Sequence, residues 1–166
     1  MSDLDAVSRI QQEWALARPD VDVSPQGVIG RLHRLARHLT DELTAVYERY
    51  GLSEGEFDVL ATLRRSGPGC ALVAGQLAAH TMLTTGGTTK RIDRLEKAGL
   101  VRRTRAEADG RGRVIALTPA GRDLIDRAFT EHMRNERRLL DTLPHEDVAH
   151  LERVLTGWLR QFEPPA

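Results

Sequence analysis

Residues 84–117 have the sequence TTGGTTKRIDRLEKAGLVRRTRAEADGRGRVIAL, and their hydrophobic period changes from 3.6 to 2 at Gly99. Before this glycine the pattern predicts a helix that Thr84 caps, and Gly99 suits the left-handed residue that ends many helices. After it, residues 100–105 and 114–117 predict two short strands, joined by a glycine-bearing turn with arginines at its tip. A helix followed by a β-hairpin is therefore predicted.

Two further helices are predicted just before this segment. Ser53 and Glu56 form a capping-box pattern at the start of a helix that ends near Ser66. Residues 72–79 predict a short helix with Leu72, Val73, Leu77 and Ala78 facing inward, and residues 80–83 a tight turn. Two short helices, a turn and a hairpin are the parts of a winged helix-turn-helix, in which the second helix enters the major groove and the hairpin tip the minor groove.

Long amphipathic helices flank these parts. Residues 24–50, 118–143 and 145–162 space their apolar residues three and four apart, and Thr118-Pro119 supplies the cap and first turn of one of them. These apolar stripes would be half exposed in a monomer. We therefore predict that a second copy of the chain covers them and that the protein is a homodimer. The predicted fold is mainly α with a small β-wing: an extra N-terminal helix at 1–18, a winged helix-turn-helix DNA-binding domain at 53–117, and a helical dimerisation region at 24–50 and 118–163.

Composition narrows the class of protein. The 166 residues are 40% hydrophobic and 29% charged, which is typical of one water-soluble domain. No apolar run approaches the roughly 20 residues of a membrane helix, and the acidic start at Met1–Asp5 is unlike a secretory signal, so we expect a cytoplasmic protein. The sequence holds no nucleophile elbow, phosphate loop or His-Glu-x-x-His motif, which predicts no catalytic residue and no cofactor.

Charge is distributed unevenly along the chain. The net charge is zero, from 24 basic and 24 acidic residues, but residues 83–113 hold nine basic and four acidic side chains. The remaining 15 basic and 20 acidic residues make the flanking segments acidic. A local basic patch favours double-stranded DNA as a partner, although a solvated helix face with scattered charges would look similar on charge alone.

At this point the sequence resembles the MarR family of bacterial transcriptional regulators, from about Val28 to Phe162. The resemblance rests on residues 55–60, GEFDVL, on residues 89–103, TKRIDRLEKAGLVRR, and on the wing motif Asp109-Gly110-Arg111. It implies a homodimer on an inverted-repeat operator, with Arg111 in the minor groove steadied by Asp109. An arginine on a glycine-flanked tip suits a narrow, electronegative groove, while a simple salt bridge within the turn would explain the same pair.

The predicted recognition helix supplies the other candidate DNA contacts. Small or basic residues expected to face outward, toward phosphates and base edges, are Thr84, Thr85, Thr88, Lys90 and Arg94. Gly86 and Gly87 cost roughly 1 kcal/mol each within a helix, so a close approach to DNA is a candidate reason for them. The alternative is helix capping by one threonine and a solvated surface for the rest.

The N-terminal helix, with Gln12-Glu13-Trp14-Ala15, resembles the urate-responsive, PecS-like branch of the same family. In that branch the resemblance implies a ligand site at Trp14, Asp58, Arg91 and Arg103, and a small anionic effector such as urate. A cation on the inner edge of a helix is costly unless paired, and an anion or Asp58 would pair Arg91. Alternatives stay open: Trp14 as a packing residue, Asp58 and Arg91 as a permanent ion pair, and Arg103 as an exposed strand residue near phosphates.

Other effectors are open at this level. Another anion, such as a tricarboxylate or an aromatic acid, would suit the same arginines. The single cysteine, Cys70, excludes an internal disulfide and a multi-cysteine zinc site, and few basic residues stand near it to favour a thiol sensor. No metal site is expected, since His145-Glu146 is the best pair that a metal sensor would have.

Overall fold

The computed structural model describes residues 4–81, 87–105 and 113–163. They form the elements α1 (Ala6–Ala17), α2 (Gln26–Glu48), α3 (Glu54–Arg65), β1 (Ala71–Val73), α4 (Ala74–His80), α5 (Thr88–Lys97), β2 (Val101–Arg105), β3 (Arg113–Leu117), α6 (Pro119–Leu140) and α7 (His145–Leu159). The predicted class, mainly helical with a small antiparallel sheet, is confirmed. The chain divides into two compact units, residues 1–45 and 46–166.

In the first unit an ion pair holds α1 to α2. The Asp5 carboxylate caps α1 by accepting a hydrogen bond from the Ser8 backbone N–H at 2.8 Å, and Arg31 Nε donates to it at 2.7 Å. The bonds from Arg31 and Ser8 lower the pKa of Asp5 to about 2. Val7 packs against Gly30, where an added Cβ would lie 3.3 Å from the valine Cγ1. Val7 is buried, whereas Leu4, Ile10 and Trp14, which recur at helical spacing with it, are exposed.

The core of the second unit forms around α3. Its Ser53–Glu56 capping box is present, and the helix ends at Arg65 with Ser66 as its C-cap, close to the predicted end. The side chains that pack against one another from α3, the other helices and the sheet are Phe57, Val59, Leu60, Leu63, Leu77, Ile92, Leu95, Ile115 and Ile125. Because α3 contacts α4, α5, α6 and the sheet, it fixes the position of the helix predicted to read DNA.

An aromatic cluster extends this core. The rings of Tyr47 and Phe57 stack at 4.0 Å, and His132 lies against both. The Tyr47 hydroxyl lies 3.3 Å from His132 Nδ1, and His132 Nε2 lies 3.1 Å from the Glu136 carboxylate. Burial raises the pKa of Tyr47 to about 12, and burial lowers the pKa of His132 below its usual value despite the nearby Glu136.

The sheet has three strands in the order β1-β3-β2, all antiparallel, rather than the predicted two-stranded hairpin. Ala71 pairs with Ala116 and Val73 with Val114, while Val101 pairs with Leu117. The prediction that Leu72 and Val73 lie in a helix was wrong, because that helix, α4, begins at Ala74. A strand of three residues has no period of its own, and its pairing partner lies about 40 positions further along the chain.

The helix ends agree better with the sequence. Gly99 follows α5 with φ +72°, in the left-handed region, as predicted. Thr118 caps α6 by accepting from the Gly121 N–H at 3.0 Å, and Pro119 occupies the first turn. Only glycine fits at position 121, because an added Cβ would lie 1.9 Å from the Leu100 carbonyl oxygen. The start of α6 is therefore seated directly on the turn that follows α5.

Candidate nucleic-acid and anion site

The helix predicted to read DNA is α5, and its start differs from the prediction. Gly87, not Thr84, is the N-cap, and the helix begins at Thr88. Gly87 has φ +93°, a left-handed conformation that favours glycine, so the backbone geometry accounts for this residue. Because Gly87 lies outside the helix, the predicted cost of roughly 1 kcal/mol for a glycine within a helix does not apply to it.

The predicted DNA contacts fall into three groups. Lys90 and Arg94 are exposed on α5, as expected. Thr88 is only 6% exposed, so the prediction that it faces outward was wrong; it stands four residues before Ile92 and shares that buried face. Thr89 takes the exposed position instead. The predicted contacts at Thr84, Thr85 and Arg111, with Gly86 and Asp109, lie outside the described residues.

Arg91 is the half-buried arginine of α5, and its guanidinium lies on the first turn of α3. A Cβ added to Gly55 would be 2.2 Å from Arg91 Nε and 2.6 Å from Cζ. The side chain of Arg91 thus occupies the space that any residue other than glycine would fill at position 55. Asp58 follows one turn later on α3; it is 8% exposed, and Thr62 Oγ1 lies 3.5 Å from its Oδ1.

Arg94 is joined to the same turn of α3. Its Nε lies 3.1 Å from Glu56 Oε1, while Glu56 Oε2 accepts from the Ser53 hydroxyl at 2.6 Å and from the Ser53 N–H at 2.9 Å. Burial raises the pKa of Glu56, but the Ser53 hydrogen bonds and the charges of Arg94 and Arg91 outweigh it and lower the pKa overall. One carboxylate therefore caps α3 and holds an arginine of α5.

Arg103, on β2, is bound to two carboxylates of α5. Its Nη2 lies 2.5 Å from Asp93 Oδ1 and its Nη1 pairs with Glu96 Oε2, while its backbone N–H donates to Glu96 Oε1 at 3.1 Å. The arginine side chain is 17% exposed. Burial lowers the pKa of Arg103, but the bonds to Asp93 and Glu96 raise it overall, so the guanidinium stays charged. We call these three residues the Arg103 clamp.

The fourth predicted ligand residue, Trp14, belongs to the first unit, whereas the other three belong to the second. Trp14 is 48% exposed. Within its own unit it lines a cavity of about 310 Å³ together with Arg18, Val21, Asp22, Val23, Pro25 and Gln26.

The surroundings of Cys70 differ from the prediction. The side chain is 1% exposed, and Arg122 Nη2 lies 3.1 Å from its Sγ. The expectation that few basic residues are near this thiol was therefore wrong, because Arg122 comes from α6, 52 positions further along the chain.

Two features of the described part of the chain bear on other functions. Within residues 4–81, 87–105 and 113–163, no three or more His, Cys, Asp or Glu side chains are grouped so that they could hold a metal ion. None of the helices in these ranges is both long enough and apolar enough to span a bilayer.

Glu56, Asp93 and Glu96 were missed as site residues. The capping-box pattern reveals only the local role of Glu56, and nothing in the sequence links it to Arg94. Asp93 and Glu96 stand three apart on one helix and so share a face, which is a signal that they act together. Their partner on the next strand follows only from the turn geometry.

Comparison with known proteins agrees with this geometry. The sequence profile of the MarR family matches residues 50–112. The chain is 43% identical over 149 residues, 90% of each chain, to the HTH-type transcriptional regulator PecS of Dickeya dadantii. Two solved MarR-family structures from Streptomyces coelicolor superpose with TM-scores of 0.76: AbsC, at 26% identity over 86% of this chain and 96% of that one, and Sco3205 in complex with DNA, at 25% identity over 87% and 94%.

The chain therefore belongs to the MarR family, and it is a DNA-binding transcriptional regulator rather than an enzyme. Its similarity to PecS over nine-tenths of both chains fits the branch that the N-terminal helix indicated.

Proposed function

We propose that the protein is a homodimeric repressor that binds an inverted-repeat operator and is released from it by a small anion, with urate as the first candidate. The observation that carries this proposal is the position of two arginines: Arg91 lies on α5 itself, and Arg103 is bound to α5 through Asp93 and Glu96. An anion that binds these guanidinium groups acts directly on the helix that reads DNA.

The outer face of α5 supports the DNA contact. Thr89, Lys90 and Arg94 are exposed, whereas Ile92 and Leu95 hold the inner face in the core. A hydroxyl and two cations on an exposed helix suit phosphate oxygens and base edges. We add Thr89 to Lys90 and Arg94 and remove Thr88, while Thr84, Thr85 and Arg111 remain predictions from the sequence.

The two C-terminal helices support the homodimer. No residue of α7 is buried, and Leu151, Val154, Leu155 and Leu159 are exposed along it. With the end of α6, this face forms a groove of about 620 Å³ lined mainly by Leu140, Val148, Leu151, Leu155, Trp158 and Phe162. An apolar face of this extent marks an interaction surface, and a second copy of the chain would cover it by two-fold symmetry.

The ligand proposal rests on Arg91, Arg103 and Asp58 in the second unit. Guanidinium groups donate paired, charge-assisted hydrogen bonds that suit a planar anion. Trp14 is included on the resemblance alone. Because the ligand binds the DNA-free form more tightly, linkage requires DNA to weaken ligand binding by the same factor.

The DNA arm is tested by mobility shift on the DNA upstream of the gene, with random DNA as the comparison. We expect Arg111→Ala to weaken operator binding by about 1–3 kcal/mol and random DNA by less. Lys90→Ala is expected to weaken both evenly and to reduce the salt slope. Equal losses for Arg111→Ala on both DNAs, or a footprint without two-fold symmetry, would contradict the docking.

The ligand arm is tested by titrating the same complex with urate, citrate and benzoate. Wild-type protein is expected to release the operator with urate, and Arg91→Ala to lose this response while keeping measurable DNA binding. If an Arg91→Ala, Arg103→Ala double variant folds, binds the operator and releases it with the wild-type dependence on urate, these arginines are not the sensor.

A further inference from the structure

The Arg103 clamp places two anions on the guanidinium that the proposed ligand needs. Arg103 donates to Asp93 Oδ1 at 2.5 Å and is paired with Glu96 Oε2, and only 17% of its side chain is exposed. One positive and two negative charges leave this cluster with a formal charge of −1. An incoming anion therefore meets a net negative group, not a free cation.

We propose that Asp93 and Glu96 are positioning residues that compete with the anionic effector for Arg103, so that ligand binding and an intact clamp exclude each other. This inference rests on the proposed function. It adds that Asp93 and Glu96 set the sensitivity to the anion and transmit its binding to the recognition helix.

The clamp joins α5 to the neighbouring strand β2. Both carboxylates lie on α5 and the arginine lies on β2, so three bonds hold the helix in one position on the sheet: two from the guanidinium and one from the Arg103 N–H. A planar anion that takes both arms of the guanidinium removes the two side-chain bonds together. The bond from the Arg103 N–H to Glu96 and the contact between Arg94 and Glu56 of α3 remain, so the helix is loosened only on its β2 side.

A ligand can shift an equilibrium only by its difference in affinity for the two states. With the clamp intact, ligand binding includes the loss of two charge-assisted bonds. Neutral substitutes for the carboxylates weaken those bonds but keep their shape. Such variants are expected to bind the anion more tightly and to show a smaller difference between their DNA-bound and DNA-free forms.

The test uses the full-length chain and urate as the probe, measured by titration calorimetry with and without saturating upstream DNA. The variants are Asp93→Asn, Glu96→Gln and the double variant. We expect the urate Kd without DNA to fall about fivefold for each charge removed and about 25-fold for the double variant. The ratio of the Kd values with and without DNA is expected to fall toward one.

A matched control neutralises a carboxylate that pairs with a different arginine of the same unit. Asp126 lies 2.6 Å from Arg64 Nε, and both side chains are about half exposed. Asp126→Asn makes the same charge change away from the clamp, so its urate Kd should remain at the wild-type value.

The outcomes separate the two proposals. If Arg103→Ala abolishes urate binding but Asp93→Asn and Glu96→Gln keep the wild-type Kd and lower only the Tm, the clamp is merely structural and the competition is wrong. If Arg103→Ala binds urate like the wild type, the proposed anion site itself fails. Equal tightening by Asp126→Asn would show a general charge effect and would also overturn the inference.

Discussion

Helices α5 and α7 are both amphipathic, but the apolar face of α5 is buried and that of α7 is exposed. α5 buries Thr88, Ile92 and Leu95 and is fixed by charged contacts with α3 and with β2. α7 has 15 residues and buries none of them. The inner face of α5 is thus satisfied by its own chain, whereas the apolar face of α7 is left for another molecule.

This difference shows where each helix is expected to meet a partner. Because the inner edge of α5 is packed against its own chain, we propose that its exposed polar face contacts DNA and that Arg91 and Arg103 regulate this contact. None of the residues of α7 is buried within the described part of the chain, so we propose that burial of its apolar face against a second copy stabilises it. Substitutions on the two helices should therefore affect different properties.

The largest expected effect comes from placing charge on the apolar face of α7. In the variant Leu151→Asp, Leu155→Asp, each change costs at least about 2 kcal/mol at a dimer interface. Together they should raise the dimer dissociation constant about a thousandfold. Light scattering at micromolar concentration should then report a monomer or an unfolded chain.

The control for this prediction is Arg153→Asp, which changes charge on the opposite face of α7 and should leave the dimer intact. Arg153 is exposed, and its Nη2 lies 2.6 Å from Nδ1 of His150 on the same helix. If the dimer keeps its wild-type stability with the two leucine substitutions, α7 does not form the interface, and the contrast drawn with α5 is wrong.

A smaller effect is expected where α5 is seated on α3. Gly55→Ala puts a methyl group 2.2 Å from Arg91 Nε, so the guanidinium must move, and a flexible side chain can do so at low cost. We expect a loss of at most about 1 kcal/mol in the free energy of unfolding. The urate Kd should nevertheless rise about tenfold, because charge-assisted bonds depend on geometry. The result is read by comparing thermal unfolding with urate calorimetry.

Two results would count against that account of Arg91. A wild-type urate Kd in Gly55→Ala would show that the guanidinium position is unimportant for the ligand. The neighbouring α3 variant Glu54→Ala, at an exposed position outside this contact, is the control and should leave the urate Kd unchanged.

The contrast also explains what could be predicted from the sequence. Caps, helix periods and the change of period at Gly99 are local signals, and they predicted α3, α5, α6 and both wing strands nearly correctly. β1 and the Arg122–Cys70 contact depend on residues about 40 or more positions apart, so no local signal predicts them. The start of α5 was misjudged because Thr84 and Gly87 both suit an N-cap, and the backbone of Gly87 decides between them.

The smallest expected effect lies in α6, which follows α5 and precedes α7 along the chain. His132 is buried against Tyr47 and Phe57 and near Glu136, and its pKa is lowered by burial. The unfolded chain, with a pKa near 6.5, then binds more protons than the folded one, so stability is fully present above this value and falls as the pH drops below it. The Tm difference between pH 7.5 and 5.5 should be smaller in His132→Gln than in the wild type, and an equal difference in both proteins would contradict this.

The most direct test of the account is a linkage measurement on the wild-type protein. Urate is added to the protein and its binding is followed by tryptophan fluorescence. A Trp14→Phe variant gives the background signal of Trp158. The titration is done once without DNA and once with saturating upstream DNA. We expect DNA to raise the urate Kd, and linkage requires urate to raise the Kd for DNA by the same factor. The same urate Kd with and without DNA would show that the anion does not act on the recognition helix.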